Sequence, residues 1–159
     1  GPIRIEKERL GIIWSNHSSC GFSSGWYSQM SYAFGQNSLN NRAGIDPRLI
    51  EILDRAVQIS IYDFGVPSSG GLRTVEEQAK LFTAGASKAD GRTHKSHHQT
   101  GRAVDVYAYV DGKASWDHEH LAVVAAAMLQ ASAELGYKLQ WGGLWTGFCD
   151  RPHFQLAKD

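Results

Sequence analysis

The sequence predicts an α+β domain in which helices pack on one face of a small, mainly antiparallel sheet and leave the other face open. Two observations support this class. Apolar residues recur at helical spacing in two long segments, at 47–59 and 118–135. Short segments typical of strands lie at 103–110, 138–141 and 153–156. Helices therefore come first along the chain, and strands gather around the last of them.

The first helix is predicted from Pro47 to Ile59. Asp46 is a favourable N-cap residue, and proline is favoured at the first helical position that follows it. The apolar stripe of this helix consists of Leu49, Ile50, Leu53, Ala56 and Val57. Both signals indicate a helix with one buried face.

The second helix follows a turn at 67–71. Thr74 and Glu77 have the spacing of a capping box, which predicts a helix that begins after Thr74 and ends near Gly85. Residues 86–100 are rich in Gly, Ser, Lys, Asp and His and show no period. We interpret them as an active-site loop on a rigid scaffold.

A strand is predicted over 103–110, where the side chains alternate. The core face consists of Val104, Val106, Ala108 and Val110. Asp105, Tyr107 and Tyr109 fall on the opposite face. The carboxylate of Asp105 should therefore point away from the core, into a partly aromatic cleft.

The longest helix is predicted from His118 to Leu135, with Asp117 as its cap and Gly136 as its stop. Its buried stripe should consist of Leu121, Val124, Ala125, Met128, Ser132 and Leu135. Two short strands follow, near 138–141 and 153–156. In the second, His153 and Gln155 share one face.

Length and charge limit the classes of function. A chain of 159 residues is long enough for one core without disulfides or other staples, and we expect a single catalytic domain over 30–159 that acts as a monomer. Sixteen basic residues balance sixteen acidic ones, so nothing indicates a nucleic-acid partner. No run of 18 apolar residues indicates membrane insertion, and no secretory signal pattern is present.

Residues 3–29 show no clear helical or strand period. Gly1-Pro2 resembles a protease-cleavage scar, so we expect an N-terminal extension over 1–29 that is tag- or vector-derived at that end. An upstream extension or a packed arm are the alternatives. Trp14, Trp26 and Tyr27 favour some docking onto the domain over complete disorder.

Two separated clusters have the composition of a zinc site. His98 lies seven residues before Asp105, and His153 lies three residues after Asp150. Imidazole and carboxylate are zinc ligands, and a catalytic zinc usually takes three protein ligands and one water. We predict one Zn²⁺ per chain, bound by His98, Asp105 and His153. Asp150 is the candidate general base.

At these residues the chain resembles the D-Ala-D-Ala carboxypeptidase and L-alanyl-D-glutamate endopeptidase family of peptidoglycan metallopeptidases. The motif Ser-x-His-x-x-Gly-x-Ala-x-Asp is met in full from Ser96 to Asp105, and it selects His98 rather than its neighbour His97. A Trp-Gly-Gly-x-Trp segment begins at Trp141 and precedes Asp-x-Pro-His-Phe at 150–154. Within the family, phage endolysins look most similar. The resemblance implies a Hedgehog/D-Ala-D-Ala peptidase-like fold.

The resemblance also implies roles around the zinc. Arg73, in a Gly-x-Arg-Thr element, would stabilise the oxyanion or hold a peptide carboxylate, with a structural salt bridge as the alternative. Gln78 and Ser96 are candidate substrate contacts or scaffold. Trp141 and Trp145 either line the cleft or belong to the core.

The expected function is zinc-dependent hydrolysis of the L-Ala-D-Glu bond of the peptidoglycan stem peptide, which lyses the bacterial wall at the end of phage infection. A D-Ala-D-Ala carboxypeptidase is the nearer alternative, and a non-catalytic, zinc-stabilised wall-binding module is the more distant one. The enzyme is expected to be made in the host cytoplasm and released by a membrane-permeabilising partner. The sequence leaves open whether Ca²⁺ regulates the acidic loop near Asp90 and Asp111.

Overall fold

The computed structural model describes residues 3–5 and 31–159. The helices are α1 (Gln36–Asn41), α2 (Pro47–Ile59), α3 (Val75–Thr83) and α4 (His118–Leu135), with 3-10 turns at His97–Thr100 and Gly142–Leu144. The strands are β1 (Ile3–Ile5), β2 (Ser31–Ala33), β3 (Asp63–Gly65), β4 (Ala103–Asp105), β5 (Tyr107–Val110), β6 (Lys113–Ser115), β7 (Leu139–Trp141) and β8 (His153–Leu156).

All strand pairs among the described residues are antiparallel, which confirms the predicted α+β class. The strands are divided among three small sheets, in the orders β1-β2, β3-β5-β6 and β4-β8-β7. The single strand predicted over 103–110 is interrupted at Val106, whose backbone N–H donates to the carbonyl of Pro152 at 3.0 Å. The two halves therefore pair with different neighbours, β4 with β8 and β5 with β3 and β6.

Helix α2 has the predicted bounds, and the side chain of Asp46 accepts from the backbone N–H of Arg48 at 2.9 Å. The capping box of α3 is also present, although this helix ends at Thr83 rather than near Gly85. A side-chain oxygen at the cap satisfies N–H groups that have no partner within the helix. Local sequence signals thus account for the first residues of both α2 and α3.

Helix α4 also has the predicted bounds, but two details of its prediction were wrong. Leu135 is 39% exposed rather than buried, because the last turn of the helix extends past the core. The side chain of Asp117 makes no cap hydrogen bond. Its carboxylate instead lies 3.7 Å from Nδ1 of His120, one turn into the helix.

The core lies between the packed pair α2 and α4 and the inner faces of the sheets. Val104, Val106 and Ala108 are buried as predicted, while Val110 is only partly buried against the core. Asp105, Tyr107 and Tyr109 lie on the outer, partly exposed face. The strand that carries Asp105 is therefore anchored from behind and open in front, which positions the candidate site.

Most of residues 1–29 lie outside the described residues, and so does the predicted scar at Gly1-Pro2. Strand β1 pairs with β2, with Ile3 opposite Ala33 and Ile5 opposite Ser31. Among the helices described, none combines the length and the apolar character needed to cross a bilayer.

Candidate active site

The structure brings the three predicted metal ligands together. Asp105 ends β4 and lies directly opposite His153, the first residue of β8, in the antiparallel register. Paired residues of this kind have Cβ atoms about 5 Å apart on the same face. His98 comes from the 3-10 turn that precedes β4. Three separate segments thus supply one donor atom each.

The donor atoms have the spacing of a tetrahedral metal site. His98 Nε2 lies 3.2 Å from His153 Nδ1 and 3.2 Å from Asp105 Oδ1, and His153 Nδ1 lies 3.1 Å from the same carboxylate oxygen. Nitrogen and oxygen ligands at about 2.0–2.1 Å from a tetrahedral ion are about 3.3 Å apart. The group could therefore hold a metal ion with little movement.

His98 is held in one orientation by its own turn. The hydroxyl of Ser96 accepts from the backbone N–H of His98, and Gln99 Oε1 accepts from the N–H of Ser96. The ring is 2% exposed, and its Nδ1 lies 3.0 Å from the carbonyl of Gly71. A carbonyl only accepts, so Nδ1 carries the proton and Nε2 faces the other donors with a free lone pair. Ser96 thus has the contacts of a scaffold residue.

His153 has a partner to which the sequence analysis gave no role. Its Nε2 lies 2.9 Å from Gln155 Oε1, and Gln155 Nε2 donates to Gln140 Oε1 at 3.1 Å. The amide oxygen accepts the Nε2 proton, which leaves Nδ1 unprotonated toward the metal group. The signal was present in the alternation of β8, where His153 and Gln155 share a face.

Replacement of Gln155 by alanine should weaken metal binding by about 10- to 100-fold, because partners that orient a ligating imidazole have effects of this size. The measurement is a zinc titration against a competing chelator. Gln130→Ala is the matched control, since this exposed glutamine of α4 bonds only to Glu134 among the described contacts. Equal zinc affinities in the two variants would contradict the orienting role of Gln155.

Asp105 is ionised and shared between the metal group and Arg73. Burial raises the pKa of this carboxyl, but His153 and His98, which can donate to it only when the ring nitrogens facing it are protonated, outweigh burial and hold the pKa well below its usual range. Its second oxygen, Oδ2, accepts from Arg73 Nη2 at 2.9 Å. The same guanidinium donates to Gln78 Oε1 at 3.2 Å and to the carbonyl of Ser69 at 2.7 Å. Arg73 therefore holds the orientation of Asp105.

Asp150 is placed beside the group by a close backbone approach. Its N–H donates to the carbonyl of Gly142 at 2.9 Å, and its own carbonyl accepts from the N–H of His153. A Cβ at Gly142 would lie 2.3 Å from the carbonyl oxygen of Asp150, so only glycine fits there. Burial, followed by the charge of Asp105, raises the pKa of the Asp150 carboxyl. The raised pKa makes this carboxylate a better proton acceptor than an ordinary aspartate.

The remaining predicted contacts divide between scaffold and cleft. Gln78 is fully buried, and its amide bonds to Arg73, Ser87 and Ala89, which favours the scaffold alternative. Trp141 stacks on Phe154 of the core and donates through its indole to the carbonyl of Arg151 at 2.7 Å. The ring of Trp145 lies 5.3 Å from that of His153 and is the tryptophan adjacent to the metal group.

Comparisons with known proteins show the family of this chain. A protein-family model described as phage L-alanyl-D-glutamate peptidase matches residues 30–156. The L-alanyl-D-glutamate peptidase of Escherichia phage T5 is 38% identical over 122 residues, which is 76% of this chain and 87% of that protein. The L-alanyl-D-glutamate peptidase of Listeria phage A118 is 33% identical over 85 residues, 54% of this chain and 28% of that longer protein.

A solved structure is also similar. It is the L-Ala D-Glu endopeptidase ChiX of Serratia marcescens, which is 38% identical to this chain. The match has a TM-score of 0.69 and covers 78% of this chain and 89% of that one. The likeness therefore extends over most of both molecules.

Proposed function

The chain belongs to the phage L-alanyl-D-glutamate peptidase family and is a peptidoglycan-cleaving, endolysin-like peptidase, and we propose that it hydrolyses the L-Ala-D-Glu bond with one bound zinc ion. One observation supports the proposal above the others. Three donor atoms lie within 3.2 Å of one another, and a partly buried carboxylate, Asp150, lies in the segment that precedes His153.

The donor set favours zinc over the hard cations. Two imidazoles and one carboxylate form a ligand set found in catalytic zinc sites, whereas Ca²⁺ and Mg²⁺ prefer oxygen ligands alone. His98, Asp105 and His153 would hold the ion. Zinc in such a site supplies a Lewis acid that acidifies water and polarises a carbonyl.

Asp150 moves the proton. Its carboxylate takes a proton from the attacking water, whose oxygen bonds to the carbonyl carbon of L-Ala. The same proton then passes to the amine nitrogen of D-Glu as the C–N bond breaks. Burial and the neighbouring Asp105 raise the pKa of this carboxyl, which makes its carboxylate a stronger acceptor for the proton of the attacking water.

Arg73 supports both the ligand and the substrate. Its Nη atoms each carry two N–H groups, and the contacts to Asp105 and Gln78 use one on each nitrogen. The second N–H groups are donors for the developing oxyanion or for a substrate carboxylate. Trp145, packed against His153, limits the freedom of that ring and helps to exclude water.

Mass spectrometry of purified peptidoglycan treated with the zinc-loaded protein, beside a chelated control, tests the proposal. Zinc-dependent cuts that create D-Glu amino termini are the expected result. Released D-Ala would instead identify a carboxypeptidase. An unchanged digest from protein with stoichiometric zinc would favour a wall-binding module without turnover.

The enzyme acts on the bacterial cell wall, as its phage relatives do. We further propose that it acts as a monomer and reaches the wall through a separate membrane-permeabilising protein. The phage setting of the relatives supports this route.

A further inference from the structure

A cavity lies beside the candidate active site. It has a volume of about 460 Å³ and lies between the turn at 68–73 and helix α3. Its charged lining residues are Arg73, Glu77 and Lys80, and its apolar ones are Leu72, Leu81 and Ala84. We refer to it as the α3 groove.

The α3 groove is adjacent to the metal group. Arg73 lines the groove, and Nη2 of the same guanidinium lies 2.9 Å from Oδ2 of Asp105. The turn is tied to the site elsewhere too, because the carbonyl of Gly70 accepts from the N–H of Asp105 at 2.8 Å. A peptide that places its scissile bond at the metal group could therefore extend directly into the groove.

The two halves of the substrate differ in charge. On the acyl side of an L-Ala-D-Glu bond, the alanine is joined through an amide to the lactyl group of a neutral sugar. On the leaving side, D-Glu is linked through its γ-carboxyl and keeps a free or amidated α-carboxyl group. The third residue is a diamino acid, whose side chain carries an amine on a methylene chain, and this amine is an ammonium group wherever it is not cross-linked. Only the leaving side thus carries opposite charges separated by apolar atoms.

The lining of the α3 groove has the complementary pattern. Lys80 and Arg73 are cations, and Lys80 follows Glu77 by three residues, which places both on one face of α3. Glu77 uses Oε2 to accept from the N–H of Thr74 at 2.7 Å and has a second carboxylate oxygen for another donor. Leu72 is 47% exposed, an apolar surface that would suit a methylene chain.

We propose that the α3 groove binds the leaving half of the stem peptide and makes the enzyme selective for its charge pattern, an inference that rests on the proposed function. Lys80 pairs with the free α-carboxylate of D-Glu. Glu77 accepts from the side-chain ammonium of the diamino acid, whose methylene groups lie on Leu72 and Leu81. Solvent-exposed pairs of this kind should each change kcat/KM by about two- to fivefold.

Kinetics with three soluble muramoyl tripeptides test the proposal. The first is unmodified, the second has the D-Glu α-carboxylate amidated, and the third has the side-chain amine of the diamino acid acetylated. The wild-type enzyme should cleave each modified peptide about two- to fivefold less efficiently than the first. Lys80→Gln should remove the discrimination against the amidated peptide only, and Glu77→Gln the discrimination against the acetylated peptide only.

The chain offers matched controls for both variants. Glutamine at the third helical position preserves the capping box, so Glu77→Gln should keep the start of α3. Glu76→Gln alters the adjacent acid, which does not line the groove, and Lys113→Gln alters an exposed lysine of β6. Both controls should keep the wild-type ratios.

The possible results distinguish failure of the groove assignment from failure of the proposed function. In one result, the enzyme cleaves all three peptides while Lys80→Gln and Glu77→Gln leave the ratios of kcat/KM between the unmodified and modified peptides unchanged. That result would overturn the groove assignment alone. Failure of the wild-type enzyme to produce a D-Glu amino terminus from any peptide would overturn the proposed bond and the groove together. Selective loss of one ratio in each variant is the supporting result.

Discussion

Replacement of His153 by alanine is expected to remove the metal ion and all measurable turnover. The side chain supplies one of three donor atoms, and its Nδ1 lies 3.1 Å from Asp105 Oδ1. Without it, two ligands remain, and the loss should exceed the roughly 100-fold that the removal of an orienting partner causes. Zinc content after gel filtration, measured by elemental mass spectrometry beside peptidoglycan hydrolysis, is the check.

The control for His153→Ala is His97→Ala, a substitution of the histidine that precedes His98 in the motif segment. His97 is adjacent to His98 and only partly buried, and its backbone carbonyl, which accepts from the N–H of Arg102, survives substitution. His97→Ala should keep one zinc per chain and near-normal turnover. Stoichiometric zinc in folded His153→Ala would remove His153 from the ligand set.

Replacement of Asp150 by asparagine should lower kcat by about 10²- to 10⁴-fold, the contribution typical of a positioned acid or base, while zinc binding is retained. Asparagine has the same shape, and the hydrogen bonds of this residue to Gly142 and His153 use backbone atoms. The substitution therefore removes the proton acceptor and leaves the turn intact. Single-turnover hydrolysis, with zinc content measured on the same sample, separates the two effects.

Asp117→Asn is the control for Asp150→Asn. This aspartate lies at the start of α4 with its side chain 80% exposed, so its amide form should have wild-type kcat. Normal turnover in zinc-loaded Asp150→Asn would remove the assigned base. Loss of zinc in the same variant would instead make Asp150 a support of the metal group.

Local sequence signals predicted α2, α3 and α4, whereas the short helix α1 was not predicted. The bounds of α2 depend on the Asp46 cap and on Pro47, and those of α4 on Gly136 and on apolar spacing, all of which act within a few residues. The exposure of Leu135 was wrong because the extent of the core is a property of neighbouring elements. The interruption at Val106 was missed because its hydrogen bond to Pro152 joins distant parts of the chain.

In the candidate site, too, the residue types could be predicted from the sequence, whereas the contacts between side chains could not. His98, Asp105, His153 and Asp150 were predicted from residue types and spacing that resemble a known family. Gln155 was given no role, because alternation in a strand identifies a shared face but not the rotamers that bring Oε1 to 2.9 Å from a ring nitrogen. The contact of Trp145 with His153 also depends on how β8 packs beside the 3-10 turn at Gly142–Leu144.

By itself, the sequence determined the α+β class, the bounds of α2 and α4, the candidate donor residues and the family resemblance. These follow from interactions between neighbours in the chain or from the chemistry of single side chains. Only the tertiary structure decided the donor distances, the ring nitrogens that face one another, the hold of Arg73 on Asp105, and the groove beside it. The contacts within the metal group and the contact of Arg73 with Asp105 join residues 32 to 55 positions apart, and their geometry exists only once the fold has brought the segments together.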